Sequence, residues 1–260
     1  RLDGNGLADT LLGGTGDDIY IVDGLGVTIV EAEGEGIDIV RASVDYTLGD
    51  HLERLVLTGT ASVGTGNALD NVLNGNASPN TLFGLDGNDA LNGGTANDWL
   101  DGGNGADALN GGLGDDTLVG GTGNDTLRGG DGDDRYAFAT GDGLDTVREQ
   151  SGGADAIALA SGTDPVALFL DRRGNLQIDY GSSASADVVT VQAWSANAAN
   201  RVERVELGDG RFLDSAAIDS LIAQLAAYDA ANAGVSLASA ADVKADAGAL
   251  AIVAAAWQLP

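Results

Sequence analysis

GGLGDDTLV (111–119) and GGTGNDTLR (120–128) decide the reading of this 260-residue chain. They belong to eight nine-residue units in unbroken register over 66–137. The units start at Gly66, Gly75, Gly84, Gly93, Gly102, Gly111, Gly120 and Gly129. Position 4 is Gly in five of them: Gly87, Gly105, Gly114, Gly123 and Gly132. Glycines this dense permit positive φ, tight turns and close backbone approach. Position 6 holds Asn71 and Asn80, then Asp89, Asp98, Asp107, Asp116, Asp125 and Asp134. Position 8 holds Leu in seven units and Tyr136 in the last.

Positions 7–9 read as a minimal strand with one inward side chain, and positions 1–6 as a turn. Two units then make one coil, and coils stack at strand spacing, ~4.8 Å. Eight units predict four coils, roughly 19 Å of flattened roll at that spacing. Stacking sets Asp89 by Asp107, Asp98 by Asp116, Asp107 by Asp125 and Asp116 by Asp134. Asn71 with Asp89 and Asn80 with Asp98 make weaker pairs. Carboxylates about 5 Å apart repel unless a cation lies between them. Turn carbonyls point into the same gap. Carboxylates and carbonyls in flexible geometry suit calcium rather than zinc. There is no Cys, and His51 is the single histidine, which argues against a soft-metal site. A glycine-rich linker is the bland alternative. A linker would not keep Leu at one position in seven units of eight.

The formal net charge is −28. Within 66–137 there are twelve Asp, no Glu, no Lys, and only Arg128 and Arg135. Such an excess argues against nucleic acid or an anionic membrane as partner. It predicts that the metal-free roll repels itself. One row of leucines per face is too small a core to offset chain entropy, so folding is expected to require calcium. No signal peptide is visible, and no apolar run reaches membrane-spanning length. The chain opens in mid-unit at Arg1-Leu2-Asp3 and contains no Met, so it is expected to be the C-terminal piece of a longer protein.

Five segments are expected. Residues 1–21 carry a first repeat block, with GNGLADTLL (4–12) and GGTGDDIYI (13–21) placing Asp9 and Asp18 at position 6. Residues 22–65 read as an irregular stretch of the same solenoid. Residues 66–137 are the main roll, 138–214 a β capping region, and 215–260 a helix with an Ala-rich tail. The clusters around Gly34-Glu35-Gly36-Ile37-Asp38 and Gly141-Asp142-Gly143-Leu144-Asp145 fit the repeat again. They make Asp38 and Asp145 either extra ligands or ordinary turn residues. Alternation predicts strands at 166–170, 176–180, 188–194 and 202–207. A helix fits Ser215–Ala231, capped by Asp214 or Ser215, with Ile218, Leu221, Ile222 and Leu225 at helical spacing.

The nonapeptides, together with LERLVLTGT, VTVQAW and RVERVELGDGRFLD, resemble the C-terminal region of RTX (haemolysin-type calcium-binding repeat) proteins of Gram-negative bacteria. The resemblance implies an all-β, right-handed parallel β-roll with irregular flanking coils, a C-terminal β region and a short C-terminal helix. It implies several Ca2+ ions held by position-6 Asp side chains and turn carbonyls. The carbonyl donors carried over are Gly94, Gly103, Gly105, Gly112, Gly114, Gly121, Gly123, Gly130 and Gly132. Units with Leu69 or Ser78 at position 4 and Asn at position 6 depart from the pattern and are expected to bind weakly or not at all. The resemblance further implies a secreted, extracellular or cell-surface protein, exported by a type I secretion apparatus. The signal would lie in the last sixty or so residues.

Three functions are weighed on this basis. The first is a calcium-binding module that folds on extracellular calcium and supports type I secretion of a larger protein. The second is the tail of a secreted enzyme of the protease, lipase or epimerase class. No zincin helix or Gly-x-Ser-x-Gly elbow lies in this stretch, and His51 reads as a surface or packing residue. The third is an adhesin end with a glycan or cell-surface ligand. Outward position 7 (Val72, Thr81, Ala90, Trp99, Ala108, Thr117, Thr126, Arg135) is no flat Thr array. Trp99 could stack on a sugar but fits a packed surface aromatic better. No nucleic-acid partner and no membrane insertion are expected.

Overall fold

The computed structural model describes residues 1–6, 8–149, 153–160, 167–170, 173–181, 187–194, 196, 201–232 and 240–257. It is a solenoid of two facing β-sheets, almost entirely parallel, closed at one end by helices. The first sheet stacks twelve strands. Leu2–Asp3, Ile19–Val22, Ile39–Ala42, Arg54–Leu57 and Val72–Asn74 come first, then Ala90–Thr95, Ala108–Leu113, Thr126–Asp131 and Leu144–Val147. Val188–Val191, Leu176–Asp179 and Ala167–Leu170 complete it. The second stacks nine, running in space from Tyr46–Thr47 through Val63–Thr65, Thr81–Asp86, Trp99–Asn104, Thr117–Thr122, Arg135–Phe138, Ala156–Leu159 and Arg204–Leu207 to Phe212–Asp214. Thr10–Leu12 and Thr28–Val30 make a separate parallel pair.

Consecutive strands alternate between the faces, so each pairs with the strand 18 residues away: Leu82 with Leu100, Leu100 with Leu118, Leu91 with Leu109, Leu109 with Leu127. All eight position-8 side chains are buried, at 2% exposure or less. They form the two inner rows, where each buried Leu contributes ~1.5–3 kcal/mol. The sheets run without a break across the expected segment boundaries at 65 and 137.

One expectation needs correction. From Thr81 to Asp131 the strands are six residues long, not three, and run from position 7 through position 3 of the next unit, while Val72–Asn74 keeps the expected three. The paired glycines keep the ladder intact. Gly94 pairs with Gly112 and Gly112 with Gly130, at φ values of 112°, 117° and 115°. The turn proper is therefore positions 4–6.

At the C-terminal end the topology turns antiparallel. Ala167–Leu170 pairs with Leu176–Asp179, and Phe212–Asp214 folds back on Arg204–Leu207. The first of these lies within the expected strand at 166–170, whose Val166 is outside the described residues. Helix α1 spans Ser215–Ala231 and is capped by Asp214, whose side chain accepts from Ala217 N at 2.7 Å. Ile218, Leu221 and Leu225 are buried, whereas Ile222 is only partly so. The tail, expected to be weakly patterned, folds into two further helices, α2 (Ala240–Ala245) and α3 (Ala247–Ala256). Asp246 caps α3 and accepts the Tyr228 hydroxyl of α1 at 2.9 Å. Val243, Ala249 and Val253 join the core of the roll. No helix among the described residues is long and apolar enough to cross a membrane.

Candidate metal centre

The position-6 side chains lie inside the stack, and Asp89, Asp98, Asp107, Asp116, Asp125 and Asp134 are each at most 3% exposed. Their two oxygens do different work. Oδ1 accepts the backbone N–H of the position-6 residue one coil earlier. Asp89 N donates to Asp107, Asp98 N to Asp116 and Asp107 N to Asp125, at 2.7–2.8 Å. Asp116 N donates to Asp134 at 2.9 Å. The pairing expected between facing carboxylates is therefore a ladder of carboxylate to backbone N–H. The ladder runs on past the repeats: Asp125 N donates to Asp145 and Asp134 N to Asp155, at 3.0 and 2.9 Å. At the other end Asp18 N donates to Asp38 at 2.8 Å.

Oδ2 receives no donor in Asp38, Asp89, Asp98, Asp107, Asp116, Asp125, Asp134, Asp145 and Asp155. Asp145 also lies near the buried Tyr180 side chain. A buried ionised oxygen without a partner is costly, so nine of them require an explanation. Their surroundings supply one. In the roll, Oδ2 lies against the position-1 glycine of its own unit, where the position-1 carbonyl of the next coil also points. A methyl group on Gly84 would collide with Asp89 Oδ2 and the Gly102 carbonyl oxygen, and one on Gly102 with Asp107 Oδ2 and the Gly120 carbonyl. Gly111 repeats this with Asp116 Oδ2 and the Gly129 carbonyl. Carbonyls of positions 2 and 4 point the other way, toward the glycines of the following coil: Gly94 O toward Gly112, Gly103 O toward Gly121, Gly105 O toward Gly123, Gly112 O toward Gly130 and Gly114 O toward Gly132. At Gly84, Gly102 and Gly111 the nearest polar atoms are thus a carboxylate oxygen and a carbonyl oxygen, a donor pair that fits a hard divalent cation.

Burial is the first cause that raises these carboxyls, and the neighbouring carboxylates add to it, against the lowering effect of the backbone donor. Asp116 and Asp125 are pushed up to about 7, and Asp155 to about 7. Asp89 and Asp145 are raised to about 6 in the same way. Asp98 is also raised to about 6, by burial. Asp107, Asp134 and Asp38 move in the same direction.

Not every residue picked from the sequence enters this arrangement. Asp9 is exposed and stands outside the ladder. Asp18 is half-buried, with the Arg1 ammonium 3.6 Å from its Oδ1. Position-1 carbonyls of Gly102, Gly111, Gly120 and Gly129 were not among the chosen donors, although the invariance of position 1 was the available signal. Asp155 was missed because it sits 21 residues after Asp134, not 18. Glu31 was missed because nothing in the period selects it. Trp99 is 45% exposed on the outer face, between Thr81 and Thr117 of the neighbouring strands.

A two-sheet parallel roll with carboxylates and glycine carbonyls stacked from Asp89 to Asp134 is the architecture of a calcium-stacked solenoid. Known proteins agree. The RTX calcium-binding nonapeptide repeat matches in four copies, at residues 2–21, 65–100, 85–118 and 110–146. The chain carries RTX calcium-binding repeats. It is also similar to two proteins of Rhizobium meliloti (strain 1021). To the endo-1,3-1,4-beta-glycanase ExsH it is 39% identical over 64 residues. To the endo-1,3-1,4-beta-glycanase EglC it is 32% identical over 65 residues. Each match covers 25% of this chain and 14% of the relative.

Proposed function

We propose that this chain is a calcium-ordered folding module of a larger exported protein. The observation that carries the reading is the buried row of partnerless Oδ2 atoms from Asp89 to Asp134. Each ion would be held by position-6 carboxylate oxygens of the ladder together with turn carbonyls, including those of position 1. The module is then tuned by mass action. Where calcium is scarce the carboxylates repel and desolvation disfavours the roll. At the ~10⁻⁴ to 10⁻³ M affinity range of extracellular modules it orders. An acidic, unfolded chain can be threaded through a narrow exporter and then trapped in folded form outside. Residues 215–260 would carry the type I export signal, and the protein would be secreted or held at the cell surface.

Circular dichroism of the 260-residue chain across a calcium titration tests the core of this reading. β-structure should be absent in excess chelator and appear cooperatively with calcium; β-structure at full strength in chelator overturns it. The packing of α1 and α3 onto the roll changes how the signal must be tested. Deleting 215–260 would strip the end of the core, so exposed positions of α1 such as Ala226 and Ala227 should be substituted instead, and export measured.

A second reading concerns what the module serves. Its similarity to two glycanases favours a glycan-cleaving enzyme among the enzyme alternatives, with this chain as its non-catalytic part. Sequencing the gene upstream would decide it.

A further inference from the structure

At the N-terminal end of the ladder, beyond the main run of repeats, Asp18, Glu31 and Asp38 bring one carboxylate oxygen each to within 4.8 Å of one another. We infer that these three carboxylates, with the Tyr20 hydroxyl, form a separate calcium site built from side chains alone. This goes beyond the ladder, where carbonyls supply part of the shell.

Register places Glu31. Leu11 pairs with Ile29 and Leu12 with Val30. Extending that pairing by one residue sets Glu31 over Gly13. Gly13 opens its unit, so Glu31 occupies position 1, the inward place that is Gly in all eight units of the main run. An acid there points into the interior. A methyl group on Gly13 would lie 2.6 Å from both Asp18 Oδ2 and Glu31 Oε1, and would collide with the Tyr20 hydroxyl. Three oxygens therefore converge on the same cradle that, in the roll, takes Asp Oδ2 and a position-1 carbonyl. Glu31 replaces that carbonyl with a side chain.

The site lacks a neutralising partner inside. Glu31 is 9% and Asp38 1% exposed, and no donor reaches Glu31 Oε2 or Asp38 Oδ2. Tyr20, fully buried, donates to Glu31 Oε1. Glu35 faces Glu31 and adds negative charge, and the Arg1 ammonium touches only the Asp18 side. Burial, then Asp38, Glu35 and Asp18, push Glu31 up to about 7, so a proton is the competitor of the cation there. The frame recurs at the far end of the roll. Asp38 N donates to Glu53 and Asp155 N to Glu203, both at 2.9 Å, while Asp134 and Tyr136 take the places of Asp18 and Tyr20. All-oxygen, acid-rich ligation selects calcium over softer ions.

Direct counting of bound calcium on the folded chain, paired with terbium emission excited through tyrosine, tests this. Glu31→Gln should bind one calcium fewer at saturation and lose the part of the emission that Tyr20→Phe also removes. An unchanged calcium count in folded Glu31→Gln overturns the site and leaves Glu31 as a protonated partner of Tyr20. If Glu31→Gln does not fold, Tyr20→Phe decides: it keeps all three carboxylates, and emission equal to that of the parent chain overturns the proposal. Asp116→Ala, far from the cluster, should lower the count independently; its failure would strike the ladder and not this site.

Discussion

The turns at Asn71 and Asn80 and those from Asp89 onward share one backbone register but solve the same burial problem in opposite ways. In the Asn turns every amide atom is satisfied by protein. Asn71 Oδ1 accepts from Asn67 N at 2.7 Å, and Nδ2 donates to Leu52 O at 3.1 Å. Asn80 repeats this with Asn76 N and Ala61 O, at 2.8 and 3.0 Å. The irregular coil beneath them presents carbonyls, so a donor is required on that side. From Asp89 onward the coil beneath presents an N–H, so an acceptor is required, and the second oxygen is left over. The Asn turns are satisfied by protein alone, whereas each Asp turn leaves one oxygen over, so calcium binding is expected to concentrate in the Asp turns.

The largest expected effect comes from removing calcium. Chelation should unfold the roll as a unit rather than only its Asp half, because both halves share two inner leucine rows. Hydrogen exchange would report it, and protection surviving at Leu73 and Leu82 in chelator would split the molecule in two.

Next in size are exchanges between the two kinds of turn. Asp116→Asn with Asp125→Asn should reduce the number of bound calcium ions and weaken the cooperativity of the titration. Asn71→Asp should gain no ion, since it sets a carboxylate oxygen against Leu52 O, and should cost ~1–3 kcal/mol in chemical denaturation at saturating calcium. A gain of one ion by Asn71→Asp would break the comparison.

Acidity should discriminate the halves more gently. Asp116 and Asp125 hold their protons up to about 7, above their unfolded values. Protonation therefore favours the calcium-free roll at low pH, and that advantage is lost as pH rises from the unfolded value of 3.8 through the folded value of about 7. Calcium competes for the same oxygens, so its affinity should fall several-fold between pH 7.5 and 5.5, with proton release on binding. Isothermal titration in two buffers of different ionisation heat measures that release; no buffer dependence at pH 6.5 would contradict it.

The smallest effect is backbone strain. Leu85 and Ala96 stand where other units carry Gly and are held at φ of 85° and 81°. Leu85→Gly or Ala96→Gly should stabilise the calcium-bound roll by about 1 kcal/mol, read as a higher melting temperature.

Much of this was legible along the chain. The nine-residue period located the inner leucines, the two faces and the position-6 carboxylates, because one residue type must recur wherever one environment recurs. The helix at Ser215–Ala231 was equally plain, from its Asp214 cap and its apolar spacing. Other features were not legible, since they depend on what lies one coil away. Asp155 enters the ladder through a connection of 21 residues, which hides it from an 18-residue period, whereas Asp145, 20 residues after Asp125, was visible only through its own Gly141-Asp142-Gly143-Leu144-Asp145 cluster. Asp9 fits the pattern yet is exposed.

Composition and period by themselves determined that this protein is a glycine-turned, acidic β-solenoid suited to calcium, because both are local and repeat with each unit. Only the tertiary structure decided which oxygen of each Asp is spoken for, why Asn suffices in two turns, and that Glu31 joins Asp18 and Asp38. Those outcomes depend on whether the neighbouring coil offers an N–H, a carbonyl or a second acid, and stacking alone sets that.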